Sequence, residues 1–254
     1  MIHNEEQFNS FINDALAQGF SGWDFSYIEE RRTIEDLSWD YAQEVRNQMN
    51  TARAMLDMGT GGGEFLASLA PFPEKTYATE AWELNVPIAS ECLEPLGVEV
   101  YEITDKHNLP FENNTFDLII NRHEAFSGVD IHRMLKPGGV FIAQMVGGAN
   151  NIRFNELLAA PPPEFGYITL DDTVQELQNA GLEIVKTEEC FPEERYFDIG
   201  AIVFHLSVIK WQIEDFTVAK YRQKLGELHN MIQRDGYLAT SAHRILIKAR
   251  RKNS

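Results

Sequence analysis

The stretch Leu56-Asp57-Met58-Gly59-Thr60-Gly61-Gly62-Gly63-Glu64 decides the fold. It continues the apolar run Ala54–Met58 and leads into Phe65-Leu66-Ala67, so it reads as a turn from a buried strand into a helix. Glycine at 59, 61 and 63 permits a tight turn and lets the backbone approach a ligand without Cβ interference. A phosphate loop needs a Lys-Ser/Thr pair after its last glycine, and Glu64-Phe65 stands there instead. A dinucleotide fingerprint places its third glycine three positions after the second, whereas Gly63 comes two after Gly61. Glu64 is favourable at a helix N-terminus but would repel a pyrophosphate. Asp57, just before the turn, suits a ligand with a cationic amino group and sulfonium.

Working outward, strands are expected at Ala54–Met58, Lys75–Thr79, Val98–Ile103, Phe116–Asn121 and Val140–Val146. Helices are expected at Glu64–Leu69, Leu84–Leu96 and His123–Leu135, the last stopped by Pro137-Gly138-Gly139. This alternation predicts an α/β fold, Rossmann-like and doubly wound, with seven mostly parallel strands. Ligands then bind at the C-terminal edge of the sheet. Beyond Gly148, helices are expected at Asn150–Ala160, Thr169–Ala180 and Thr217–Arg234, with strands at Leu182–Cys190 and Ile245–Ala249. Phe197–Trp211 is so uniformly apolar that periodicity leaves helix and strand both open. The expected organisation is an N-terminal helical lid over residues 1–50 and a main domain over 51–254, with a helical insertion at about 196–236.

The pattern Asp-x-Gly-x-Gly-x-Gly over Asp57–Gly63 resembles motif I of the class I S-adenosylmethionine-dependent methyltransferases, of the type 11-like small-molecule branch. Three further segments are similar to that family at the matching intervals. Glu80 stands seventeen residues past Gly63; the resemblance implies that it accepts hydrogen bonds from both ribose hydroxyls, for which two carboxylate oxygens are suited. Trp82 would flank the adenine or pack in the core. Asp105-Lys106-His107-Asn108-Leu109-Pro110-Phe111 is similar to the Asp-x-x-x-Leu-Pro-Phe stretch, whose aspartate contacts the adenine amine. Asn114–Ile120 and Met134–Gly139 are similar to the family's fourth strand and the entry to its fifth. The resemblance covers about residues 50–147. It carries Asp57, Gly59, Thr60, Gly61, Gly63, Glu80, Trp82, Asp105, Lys106 and Asn121 to the cofactor, S-adenosylmethionine, leaving S-adenosylhomocysteine as product.

On the acceptor side stands Asn121-Arg122-His123-Glu124. It lacks the Pro-Pro-aromatic that base-methylating enzymes carry after the Asn. His123 would be a general base near neutral pH, and Arg122 would hold a substrate carboxylate; alternatively His123 and Glu124 start the next helix and Arg122 pairs on the surface. The aromatics from Phe191 to Tyr221, and the loop Phe20–Tyr27 with Trp23, would either line an acceptor pocket or pack the added helices. His243 has no expected role.

The chain has 254 residues, 44% hydrophobic, enough for one such domain with additions. Its net charge of −17 disfavours a nucleic-acid backbone as partner. Cys92 and Cys190 lack metal-ligand spacing, so no metal is expected and the compartment reads as reducing. The start, with Phe8, Phe11, Ile12 and Leu16 on one side of an acidic helix, is not a signal peptide, and no stretch approaches a membrane span. The expectation is a cytoplasmic enzyme with a small-molecule acceptor. The alternatives are an RNA or protein methyltransferase, or a non-catalytic cofactor-binding protein. Nothing in the sequence sets an oligomeric state.

Overall fold

The computed structural model describes residues 4–20, 24–104 and 109–253. In chain order the elements begin α1 (Glu5–Ala17), α2 (Ser26–Glu29), β1 (Arg32–Ile34), α3 (Tyr41–Met49), β2 (Ala54–Met58), α4 (Glu64–Ala67), β3 (Lys75–Glu80) and α5 (Val86–Leu93). They continue with β4 (Val98–Glu102), β5 (Phe116–Arg122), α6 (Gly128–Met134), β6 (Leu135–Val146), α7 (Ile152–Leu158) and α8 (Leu170–Asn179). The last are β7 (Leu182–Cys190), β8 (Glu193–Tyr196), α9 (Ile199–Val208), α10 (Val218–Asp235), β9 (Leu238–Ser241) and β10 (Arg244–Arg251).

Seven strands form one sheet in the order β4-β3-β2-β5-β6-β10-β7. The first five are mutually parallel, and β10 runs antiparallel to both neighbours. The expected doubly wound, mostly parallel sheet is therefore present. β2 is buried at every position, as a central parallel strand covered on both faces must be. One face packs Ile119, Phe141, Ile131 and Leu177, the other Val45, Leu66, Ala89 and Ile142. Strand order reverses between β2 and β5, which puts the ligand crevice at their C-terminal ends.

A third core stands apart from the sheet's two faces. Phe8 and Ile12 of α1, Phe154 of α7, most of α9, and Leu225, Leu228 and Ile232 of α10 pack together. Beside them lies a small antiparallel sheet in the order β1-β8-β9. The N-terminal segment and the late insertion thus share one hydrophobic core, a cap. α3 differs: its Tyr41, Val45 and Met49 pack on the main sheet.

Several expectations need correction. The three short strands β1, β8 and β9 lie in segments read as helix or loop; strands of three or four residues carry too little alternation to register. The helix expected from His123 begins only at Gly128. His123 itself has a positive φ of 69°, and Ser127 caps the helix by accepting from the Asp130 N–H at 3.3 Å. Leu135 is already extended, so Lys136-Pro137-Gly138-Gly139 belongs to an irregular entry of β6 rather than to a helix stop. The ambiguous Phe197–Trp211 run resolves as α9, buried on all sides and capped by Asp198, whose carboxylate accepts from Ala201 N–H at 2.9 Å.

Candidate cofactor and acceptor site

The glycine turn is tied to the end of β3. Thr60 N–H donates to Thr79 O at 2.9 Å, and Gly61 N–H donates to the Glu80 carboxylate at 2.7 Å. Gly59, Gly61 and Gly63 all have positive φ, which an L side chain rarely adopts. A Cβ on Gly59 would also lie 2.5 Å from Cβ of Glu124, so the turn and the loop after β5 meet across a gap only glycine fits. The adjoining cleft is lined by Met58, Thr79, Ala81, Ile103, Leu109 and Ala125.

Glu80 is buried, and its carboxylate is already engaged. Oε1 accepts from Ala81 N–H (2.9 Å) and Trp82 N–H (2.8 Å), and Oε2 from Gly61 N–H. A carboxylate has about four lone-pair positions, so three backbone donors leave Oε2 room for one hydroxyl. This sharpens the expectation of two ribose contacts: one acceptor position stands open, and a second opens only if a loop bond yields. Trp82 stacks on Phe20 at 6.3 Å and 27°, and Phe20 meets Phe25 and Phe204 edge-on. The indole therefore joins the cap to the cofactor edge instead of filling the sheet's core.

Asp57, the penultimate residue of β2, is 3% exposed. Burial pushes its pKa up to about 7, partly opposed by the nearby Thr60 hydroxyl and the Arg122 charge and assisted by Glu80. The Thr60 hydroxyl makes no hydrogen bond of normal geometry, so we read its effect on Asp57 as proximity alone. Arg122 lies with its guanidinium 4.4 Å above the Phe65 ring, which stacks on Tyr41. Arg122, expected to hold a substrate carboxylate, thus lies close enough for its charge to act on Asp57. Asn121 is fully buried: Oδ1 accepts from Glu124 N–H at 3.3 Å and bends the chain after β5, while Nδ2 has no partner among the described residues. Asp105 and Lys106, like Trp23, lie outside the described residues.

His123, expected as a general base, is tied into a chain of side-chain hydrogen bonds. Trp39 Nε1–H donates to Gln144 Oε1 at 2.9 Å, and a tryptophan nitrogen can only donate. The Gln144 amide nitrogen therefore faces His123 Nε2, 3.2 Å away, which must accept. The ring keeps an exposed edge, yet the protein packed around it and the charges of Arg244 and Arg122 push its pKa down, so it is neutral at physiological pH. Its proton sits on Nδ1, and the lone pair a base would use is taken.

Above this edge the cap holds a buried polar chain that the sequence did not reveal. Glu194 accepts from Arg32 (2.6 Å) and the Tyr196 hydroxyl (3.0 Å) on Oε1, and from Asn151 Nδ2 (3.0 Å) on Oε2. The Tyr196 hydroxyl, donating to Glu194, accepts in turn from His205 Nδ1 at 3.1 Å. His205 Nε2 and Asn151 Oδ1 are left as buried acceptors without donors. Arg244, at the start of β10, is close enough for its charge to act on His123, His205 and Glu194. No local motif marks these residues; they meet because β8 and β10 are brought to one edge. Of the expected aromatics, Tyr196, Phe204, Phe216 and Tyr221 pack in the cap core, while Phe191 stacks on His243 at 4.5 Å. His243 is buried, accepting from Ala149 N–H at 3.2 Å and facing Glu189 at 2.9 Å.

Residues 56–143 match the family described as methyltransferase domain. An uncharacterized methyltransferase of Bacillus subtilis is 30% identical over 97 residues, covering 35% of this chain and 38% of the relative. The chain thus spans well under half of that protein. The ubiquinone biosynthesis O-methyltransferase of Ruegeria pomeroyi is 27% identical over 179 residues, 63% of this chain and 67% of that one. The crystal structure of a putative methyltransferase from Bacillus halodurans superimposes with a TM-score of 0.60 at 19% identity, covering 83% of this chain and 97% of the other, a likeness of fold. The matched segment holds the glycine turn, Glu80 and the end of β5, so this part of the chain is similar to the methyltransferase domain family and the fold is that of its structural neighbours.

Proposed function

We propose that this protein transfers a methyl group from S-adenosylmethionine to a small molecule held between the sheet edge and the cap. The observation that carries the reading is the charge pattern on the adjacent ends of β2, β3 and β5. Asp57 with Arg122 beside it complements an ammonium and a carboxylate, and Glu80 on the neighbouring strand keeps one acceptor position open. That pattern fits an amino acid joined to a nucleoside. The residues present thus fit the cofactor: Asp57 for its amine, Arg122 for its carboxylate, Glu80 for the ribose, and Ile103 with Leu109 as apolar walls for the base.

When bound, S-adenosylmethionine supplies an electrophilic methyl group, whose bond to sulfur breaks, its electron pair returning to sulfur, as the acceptor's pair forms the new bond. The chain's own task is alignment and exclusion of water, and holding two reactants together supplies on the order of 7–11 kcal/mol. The cap excludes water along the Phe20–Trp82 contact, and we take it as the lid of the site. His123 serves as an Nδ1–H donor that orients the acceptor. A small acceptor agrees with the net charge of −17 and with the relative named for ubiquinone biosynthesis. No described helix is long and apolar enough to cross a membrane; with both cysteines free thiols, we assign the protein to the cytoplasm. The test is incubation with methyl-labelled cofactor and metabolite extracts. Label moving into a small molecule supports the reading; label found only in RNA or protein, or transferred to nothing, contradicts it.

A further inference from the structure

Arg244 has an arrangement the cofactor does not account for. It is the first residue of β10, paired with Val146 and Cys190 at the same sheet edge as His123. It is only partly accessible. One nitrogen, Nη1, carries all its hydrogen bonds, to Asn150 Oδ1 at 2.6 Å and to the His243 carbonyl at 3.0 Å. Nε and Nη2 make none to the described residues, and no described carboxylate lies within ion-pairing distance of the guanidinium. Glu194 acts on it only through space and already accepts from Arg32, Tyr196 and Asn151. Burial and the Arg32 charge both disfavour the cation, which an arginine cannot relieve by losing its proton. Charges removed from water are paired in folded proteins. Here no described residue supplies that partner.

We infer that Arg244 binds the carboxylate of the methyl acceptor, through the parallel Nε–H and Nη2–H donors that its contacts leave open. This rests on the methyltransferase reading and names its substrate class, a monocarboxylate. The charge count decides against a phosphate. Arg32 is neutralised by Glu194 and the Arg122 charge acts on Asp57, while Arg244 stands at this edge with no described carboxylate in ion-pairing distance. One planar fork matches one planar carboxylate. His123, on the same edge and within reach of the Arg244 charge, presents Nδ1–H as a further donor toward the same molecule.

The test is calorimetry on the whole protein with S-adenosylhomocysteine, then titration of the loaded protein with benzoate and with benzamide, its neutral isostere. Benzoate should bind at least tenfold tighter than benzamide and weaken as salt is raised. Arg244→Gln should weaken benzoate roughly 10- to 100-fold, the range for hydrogen bonds to a charged group, and leave S-adenosylhomocysteine affinity within twofold. Arg244→Lys should recover part of the loss. Equal affinity for benzoate and benzamide, no binding of benzoate, or unchanged benzoate binding in Arg244→Gln overturns the inference. The comparison of the two probes on the unsubstituted protein decides the matter even if Arg244→Gln does not fold. Failure of S-adenosylhomocysteine itself to bind is a separate result, and it removes the methyltransferase reading instead.

Discussion

Replacing Glu80 by Gln should lower the stability of the protein before any cofactor is added. The side chain is 4% exposed and takes three backbone N–H donors at 2.7–2.9 Å. An amide can turn its oxygen toward Ala81 and Trp82, but its NH2 then meets the Gly61 N–H, donor against donor. The reverse orientation leaves two N–H groups without an acceptor. In the better case one charge-assisted bond is lost outright, about 2–3 kcal/mol. For a chain of this size each kcal/mol moves Tm by roughly 2–4 °C, so Tm should fall by about 4–12 °C. Thermal melting followed by circular dichroism, without ligand, reads this directly. Affinity for S-adenosylhomocysteine should fall in parallel, about 10- to 100-fold. An unchanged melting temperature with lost affinity would refute the account: Glu80 would then serve the ribose alone, and the three backbone contacts would not hold the glycine turn.

Asp57, with its pKa raised to about 7, must be ionised to take the cofactor's ammonium. Affinity for S-adenosylhomocysteine should therefore drop about tenfold per unit below pH 7, and Asp57→Asn should bind weakly with a flat pH profile by calorimetry. Without ligand the sign reverses: the raised pKa stabilises the fold at low pH, and that stabilisation is lost as pH rises through 7. Asp57→Asn should accordingly melt higher than the unsubstituted protein at pH 8. His205, buried and with its pKa lowered to about 4, contributes stability that is present above about 6.5 and lost as pH falls through 4. Up to about 3 kcal/mol is at stake, and His205→Gln should flatten the melting profile between those limits. His123→Ala should leave cofactor affinity intact and raise KM for the acceptor more than it lowers kcat, because the ring donates to the substrate and takes no proton. An activity loss confined to kcat, with an acid limb that disappears in the variant, would restore the general-base role.

The glycine turn, Glu80 and the strands that carry them were legible because each is a contiguous signal: residues 54–64 carry strand, turn and helix start in one unbroken run. The chemistry beyond them was not. Arg244 meets Asn150 across 94 positions, and Trp39 meets Gln144 across 105. The role of His123 could not be read from its type, since the tautomer is set by Trp39, acting through Gln144 and far from it in sequence. α9 escaped assignment for a physical reason too. A helix buried on every side has no polar face, and so no period to detect. The cap was hidden because its small sheet joins three short segments from residues 32–34, 193–196 and 238–241.

The central claim is that the ends of β2, β3 and β5 bind S-adenosylmethionine, and calorimetric titration of the intact protein with S-adenosylhomocysteine tests it most directly. One equivalent should bind at pH 8, with affinity lost on Asp57→Asn. Absence of binding by this ligand and by S-adenosylmethionine alike would contradict the account.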